Sequence, residues 1–275
     1  MVDVTVLGDT NLDLLTEPID TIPENEQKFI DKIKIKIGGG AANFALASVK
    51  LGFETRLISS VGNDFIGNFI LNRLKESGID LHIKKLEVPT GITLGIQLKN
   101  GSKKLFTYRS NNKVFSLKHF SLEEIEGDWL QVFGYNLMDG LREHLPKILS
   151  YAKEKEMVVG FDPDIKAGLK FDKEEFYRLL KFVDVLFLNE QEAKNFDFNR
   201  LKVRTLIIKK GKNGVAAIEK GNKVELSGIS TEVKMPTGAG DVFDAAFVHH
   251  YFYGYDLREC LEFAQEKAVE YLKNF

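Results

Sequence analysis

The chain has 275 residues, a net charge of −2, and 28% charged and 44% hydrophobic residues. That length can bury a large core, and so balanced a charge leaves no basic field for a nucleic-acid partner. No apolar run approaches a membrane span, the N-terminus opens on a strand-like Val4-Thr5-Val6-Leu7 rather than a signal peptide, and Cys260 is the only cysteine. The expectation is a cytoplasmic protein without an intramolecular disulfide and with no membrane partner, Cys260 being a small buried residue on the last helix.

Val4–Gly8 reads as a buried strand. From roughly Leu14 to Ile37 the pattern alternates and ends on Ile33, Ile35 and Ile37 with lysines between them, just before Gly38-Gly39-Gly40. Beyond the glycines the apolar period changes from two to 3.6 at Ala42, Ala45, Leu46 and Val49, which predicts strand, glycine turn and a helix over Ala42–Leu51. A strand at Thr55–Ser60 and a helix at Phe65–Ser77 follow. Alternation returns from Ile79 to Arg109, with a hairpin signal at Asn100-Gly101 between Ile92–Leu98 and Lys104–Tyr108.

Beyond Trp129 strands and helices take turns. Strands are predicted at Leu130–Phe133, Val158–Phe161, Val185–Leu188 and Leu206–Lys209, and helices near Leu141–Lys155 and Lys173–Lys181. The last helix spans Asp256–Lys273. Apolar strands alternating with helices indicate an α/β fold, its mainly parallel central sheet covered on both faces. The half-polar strands of 14–37 and 79–109 suggest a small sheet projecting from that core.

Near the C-terminal end, Met235-Pro236-Thr237-Gly238-Ala239-Gly240-Asp241 precedes an apolar helical pattern at Phe243, Ala246 and Phe247. A small-residue turn at a helix N-terminus gathers backbone N–H groups at the positive end of the dipole, which suits an anion. Asp241 in that first turn would repel a resting phosphate. It reads either as a base that takes a proton from an attacking hydroxyl or as a stabilising N-terminal Asp. The second glycine turn, with Asn43 beside it, favours a ligand, because two such turns are hard to explain by packing alone. A P-loop kinase lacks its G-x-x-x-x-G-K-[ST] here, and a Rossmann dehydrogenase lacks G-x-G-x-x-G after the first strand.

These two motifs resemble the signatures of the ribokinase-like, or PfkB-type, carbohydrate kinases, and the resemblance covers nearly all of the chain. The first signature runs from the glycine pair through Asn43 and Ala45 to Gly52 and Gly62. The second runs from Pro236 through Asp241 to Ala245-Ala246-Phe247-Val248. It departs at its first position, where the family usually has Asp and this chain has Met235. The resemblance implies a ribokinase-like three-layer fold over residues 1–275 as one domain, with lid strands from about 14–37 and 79–109. The lid is often a dimer contact in the family, which implies a possible homodimer.

The same resemblance implies a kinase that passes the ATP γ-phosphoryl group to a hydroxyl of a small sugar or polyol. Asp241 is then the general base, and the Gly238, Ala239 and Gly240 N–H groups form the anion hole. The acceptor would lie among Asn11, Asp13, Gly39, Gly40 and Asn43. The nucleotide would meet Asn189, Thr237 and the turn Lys210-Gly211-Lys212-Asn213-Gly214, which by itself also reads as a hairpin turn. Asn189 and Glu192, three apart on a helix, resemble the N-x-x-E motif that organises Mg²⁺ through water. Arg109, at the end of the lid hairpin, could serve a phosphate or acid group, or be a solvated charge. Asp162-Pro163-Asp164 is followed by Lys166 where some relatives have an arginine. With Met235 in place of Asp, and little chain after Asp241 to complete a monovalent-cation site, K⁺ activation is not expected. The alternatives are a nucleoside kinase of the same family and a catalytically weak ligand-binding relative. Retention of Asp241, Asn189 and Glu192 favours the active kinase.

Overall fold

Along the strand Val185–Asn189, successive side chains enter two different cores. Val185 and Phe187 join a cluster with Phe44, Ile70, Phe247 and Leu261. Leu186 and Leu188 join another with Leu145, Ile148, Phe161 and Phe176. A strand that is apolar on both faces is buried on both, between two layers of helices. The computed structural model describes residues 2–166, 168–229 and 238–274.

In chain order the first half contains β1 (Val4–Leu7), β2 (Asn11–Thr16), β3 (Ile33–Gly38), α1 (Gly40–Lys50), β4 (Thr55–Gly62), α2 (Phe65–Lys75) and β5 (Asp80–Leu86). Next come β6 (Ile92–Gln97), β7 (Lys103–Tyr108), α3 (Asn111–Val114), β8 (Trp129–Phe133), α4 (Asp139–Arg142), α5 (Leu145–Glu154) and β9 (Val158–Asp162). The chain then forms α6 (Lys173–Leu179), β10 (Val185–Asn189), α7 (Glu190–Ala193), β11 (Thr205–Lys209), β12 (Val215–Glu219) and β13 (Asn222–Leu226). Two long helices follow, α8 (Ala239–Phe252) and α9 (Leu257–Lys273).

The main sheet has the order β13-β12-β11-β10-β9-β8-β1-β4-β5. Its neighbours are parallel from β11 to β5, and β12 and β13 return antiparallel at one edge. Side chains of α1, α2, α8 and α9 fill the core on one face, and those of α4, α5 and α6 the core on the other. Helix starts are fixed locally. Asp64 caps α2 by accepting from the Gly67 N–H at 2.7 Å, and Asp256 and Glu259 form a capping box on α9. Cys260 is buried on α9, as its sequence context implies.

The small sheet has the order β3-β2-β6-β7. Across it, Leu14 pairs with Ile35 and Leu94, and Leu94 with Phe106. One residue earlier, Asp13 pairs with Lys36 and Thr93, and Thr93 with Thr107. Paired residues project to the same side, so this sheet has one apolar and one polar face. The apolar face leaves Ile33, Ile35, Phe106 and Tyr108 exposed.

Two expectations need correction, and one turn takes the second of its two readings. The lid strands are narrower than the alternating blocks: β5, within 79–109, is the edge strand of the main sheet, paired in parallel with β4. An edge strand with one wet face has the same period of two as a lid strand, so alternation cannot tell them apart. The helix expected over Leu141–Lys155 is two helices, because Pro146 in the first turn of α5 cannot continue a preceding helix. The turn Lys210–Gly214 is the hairpin between β11 and β12, with Lys210 N–H donating to the Gly214 carbonyl at 2.8 Å.

Candidate active site

Parallel strands of an open α/β sheet end together, and ligands bind beyond their carboxyl ends. Here those ends carry Asp9 and Asn11 after β1, Asp162 and Asp164 at β9, Asn189 at β10 and Lys209 at β11, with the first turns of α1 and α8 alongside.

Gly238 opens α8 in the left-handed region, at φ +87°, and among the described residues no side chain caps that helix. The N–H groups of Ala239, Gly240 and Asp241 belong to the first turn and have no partner within the helix, where the dipole is positive. Asp241 Oδ2 accepts a 2.8 Å hydrogen bond from Asn43 Nδ2, while Oδ1 has no partner among the described residues. Burial pushes the Asp241 carboxyl up to about 7, against the opposing pull of Lys209 and of the Asn43 bond. A half-buried carboxylate titrating near neutrality beside an open row of N–H groups can accept a proton while an anion sits next to it. Asn43, expected among the acceptor ligands, gives an amide N–H to this carboxylate. Thr237, Pro236 and Met235 lie outside the described residues.

The glycine turn before α1 is built differently. A Cβ on Gly38 would lie 2.1 Å from Asp13 Oδ1, one on Gly39 2.3 Å from the Asp9 carbonyl, and one on Gly40 2.8 Å from the Phe133 ring. The Gly40 N–H already donates to Asp9 Oδ1 at 3.1 Å. Packing thus gives each of these glycines a reason of its own, beside the place expected for Gly39 and Gly40 in the acceptor site, and the Gly40 N–H is bonded within the protein. Burial also pushes Asp9 up to about 7, with Asp164 adding to the effect.

Asn11 and Asp13 face each other on the polar side of the lid. Asn11 Nδ2 donates to Asp13 Oδ1 at 2.8 Å and to Thr93 Oγ1 at 3.3 Å. Burial pushes Asp13 up to about 6, opposed by Lys36 and Asn11. Carboxylate, amide and hydroxyl on one concave face can both give and take hydrogen bonds from a polyol.

Asn189 and Glu192 form a capping box on α7 rather than lying side by side along a helix. Asn189 Oδ1 accepts from the Gln191 and Glu192 N–H groups, and Glu192 Oε2 accepts from the Asn189 N–H at 2.8 Å. Glu192 Oε1 accepts from the Ile165 N–H at 2.9 Å, which ties α7 to the loop after β9. Burial first, then Asp162 and Asp164, push Glu192 up to about 8. This donor set fits Mg²⁺ held through water: Asp162 is paired with Lys209 and Asp164 with Lys166, while among the described residues Glu192 is bonded only by backbone N–H groups and each of its oxygens keeps a second lone pair. Among the described residues no group of three or more carboxylate, His or Cys side chains stands ready as a direct metal cage.

Two predicted residues also have partners within the protein. The Arg109 guanidinium donates through Nη1 to Asp139 Oδ1 and the Leu137 carbonyl, both at 3.1 Å, which fixes its position at the end of the lid hairpin. Lys210 pairs with Glu225 of β13, and the φ of +56° at Gly211 and +102° at Gly214 serves the hairpin.

Sequence reasoning missed a buried triad beneath the anion turn. Lys209 Nζ lies 2.8 Å from Asp162 Oδ2 and 2.8 Å from Asp244 Oδ2, and a Cβ on Gly240 would stand 3.5 Å from it. Asp241 and Asp244 are three apart, hence on one helix face, which was the available signal. No local signal exists for Lys36 and Tyr271, whose Nζ and Oη meet at 2.7 Å across 235 positions of chain.

The model of the pfkB family carbohydrate kinases matches residues 1–272. The chain is 29% identical over 276 residues to a nucleoside kinase of Methanocaldococcus jannaschii, covering 94% of this chain and 87% of that one. It is 25% identical over 278 residues to an ATP-dependent 6-phosphofructokinase of Thermoanaerobacterium thermosaccharolyticum, covering 94% and 84%. A crystal structure of the M. jannaschii nucleoside kinase, an archaeal member of the ribokinase family, shares the fold with a TM-score of 0.80 at 27% identity, covering 99% of this chain and 92% of that one. With a family model spanning almost its whole length, and a fold to match, the chain belongs to the pfkB family of carbohydrate kinases.

Proposed function

We propose that this kinase transfers the γ-phosphoryl group of ATP to a hydroxyl of a small sugar or polyol bound between the lid and the main sheet. The observation that carries the reading is the joining of Asp241, its pKa raised to about 7, to the uncapped first turn of α8. Asp241, steadied by Asn43, takes the hydroxyl proton as the oxygen attacks phosphorus. The N–H groups at Ala239 and Gly240 stabilise charge on the transferred group. Asn11 and Asp13 orient the acceptor under the lid. Glu192, with Asp162 and Asp164 nearby, would hold Mg²⁺ through water, and the bound ion would supply positive charge that offsets that of the phosphates.

A nucleoside acceptor is the second reading, favoured by the 29% identity to an archaeal nucleoside kinase. The deciding experiment is a phosphorylation screen of ribose, fructose, inositol, keto-deoxy acids and nucleosides, with ATP and Mg²⁺ and formation of ADP as the signal. Turnover of no compound above the Asp241→Asn background would overturn the kinase reading. In the same assay K⁺ at constant ionic strength should leave the rate unchanged, and several-fold activation specific to K⁺ would count against it.

The apolar face of the lid, with Ile33, Ile35, Phe106 and Tyr108 exposed, is continuous across all four strands and is covered best by the same face of a second copy. Light scattering should give a dimer that Phe106→Glu dissociates; a monomeric native protein would remove this reading. The single buried Cys260 accords with a reducing cytoplasm.

A further inference from the structure

Lys36 leaves β3 on the polar face of the lid, opposite Asp13, and reaches the C-terminal helix. Its Nζ lies 2.7 Å from the Tyr271 hydroxyl oxygen and 5.2 Å from the centre of that ring. The Tyr271 hydroxyl in turn packs on the anion turn: a Cβ on Gly238 would sit 2.8 Å from it and 3.3 Å from Asn43 Nδ2. A lid lysine is thus brought to the edge of the first turn of α8, next to the Asn43–Asp241 pair. Lys36 has Asp13 on β2, Lys34 on β3, Asp241 on α8 and Tyr271 on α9 as its charged and titratable surroundings. Burial pulls its ammonium down to about 8, which keeps it charged at neutral pH.

We propose that Lys36, positioned by Tyr271, is a phosphoryl-binding residue, contributing from the lid a cation to the transferring group that the N–H groups of α8 hold from the opposite side. The assignment rests on the kinase reading above. The backbone turn offers only partial charges, whereas a phosphoryl group in transfer carries a net negative charge spread over its three outer oxygens. An ammonium is a compact point charge suited to such a group. The position favours the transferring phosphoryl over an anionic group of the acceptor, because the contact through Tyr271 leads to Gly238 and not outward along the lid.

The test uses the full chain and two nucleotides that differ in the γ-group, Mg²⁺ with ADP and Mg²⁺ with the non-hydrolysable triphosphate AMP-PNP, measured by calorimetry. Native protein should bind both. Lys36→Met should leave the ADP affinity unchanged and weaken AMP-PNP on the order of tenfold, and Lys36→Arg should restore most of it. Tyr271→Phe should cause a smaller loss for AMP-PNP only. Unchanged ADP binding shows that the variants are folded. Equal affinities of Lys36→Met and native protein for AMP-PNP would overturn the proposal and leave the kinase reading standing. Failure of native protein to bind either nucleotide would overturn both.

Discussion

Two glycine turns, 38–40 before α1 and 238–240 before α8, look alike in the sequence and are built for different reasons. In the first, each glycine is hemmed in: Asp13, the Asp9 carbonyl and the Phe133 ring occupy the places where side chains would go, and the Gly40 N–H is already bonded to Asp9. In the second, among the described residues, no side chain caps the helix and a Cβ on Gly240 would meet only the end of Lys209, at 3.5 Å. A glycine turn running into a helix is therefore not by itself a ligand site. What distinguishes the two is whether the first-turn N–H groups are already satisfied. The first turn serves the second, because it starts α1, and α1 carries Asn43 to Asp241.

The largest effect that would break this contrast is at the carboxylate. Asp241→Asn should lower kcat by two to four orders of magnitude, the range expected for loss of a general base, with nucleotide affinity little changed. Because burial makes the charged carboxylate costly in the native state, the same substitution should not lower the melting temperature at about pH 8. A structural N-terminal Asp would behave in the opposite way: the variant would melt earlier and turn over normally.

Smaller and more direct is an alanine at each turn. Gly39 holds φ +97° with a backbone oxygen 2.3 Å from any Cβ, so Gly39→Ala should cost about 3 kcal/mol of stability. Gly240 is within α8 and has room, so Gly240→Ala should stabilise the helix by up to about 1 kcal/mol while lowering kcat on the order of tenfold, by crowding the phosphoryl group. Paired denaturation and kinetics check both. Loss of stability at Gly240, or full activity in its alanine variant, would erase the difference between the turns.

The layered α/β core and the proposed base, Asp241, were legible because each is written locally. Val185–Leu188 is apolar at every position, as a doubly covered strand must be, and Asp241 follows its turn directly. The extent of the lid was less legible, since β5 at a sheet edge shares the alternation of β6 and β7. The site's charge network was legible least. Lys209 with Asp162, and Lys36 with Tyr271, are joined only when strands far apart in sequence end side by side, and no periodicity reports that. Asn189 and Glu192 were found as a pair, but their spacing of three served a helix cap, in which a side chain at N3 reaches back to the N-cap.

The smallest expected effect sets activity against stability along the pH axis. Burial raises Asp241 and Asp9 to about 7 and Asp13 to about 6, all from an unfolded value of 3.8. Between those limits the native protein holds protons that the unfolded chain has released, so unfolding gives up protons and stability falls as pH rises. Its contribution is complete below the unfolded value and gone once the pH has passed the folded one. The carboxylates with lowered values, such as Asp64, act oppositely but only on the acid side of 3.8. Lowering the pH from about 8 to about 6 should therefore raise the melting temperature of the ligand-free protein by a few degrees. Over the same interval kcat/KM should decline, because a protonated Asp241 cannot accept the hydroxyl proton. In Asp241→Asn the residual activity should lose that acidic limb, and the melting temperature should respond less to pH. Scanning calorimetry and a pH–rate profile on the same samples read both slopes. If stability and activity rise together from about pH 6 to about pH 8, the carboxyl at the open turn is ionised throughout and has no proton-accepting range to offer.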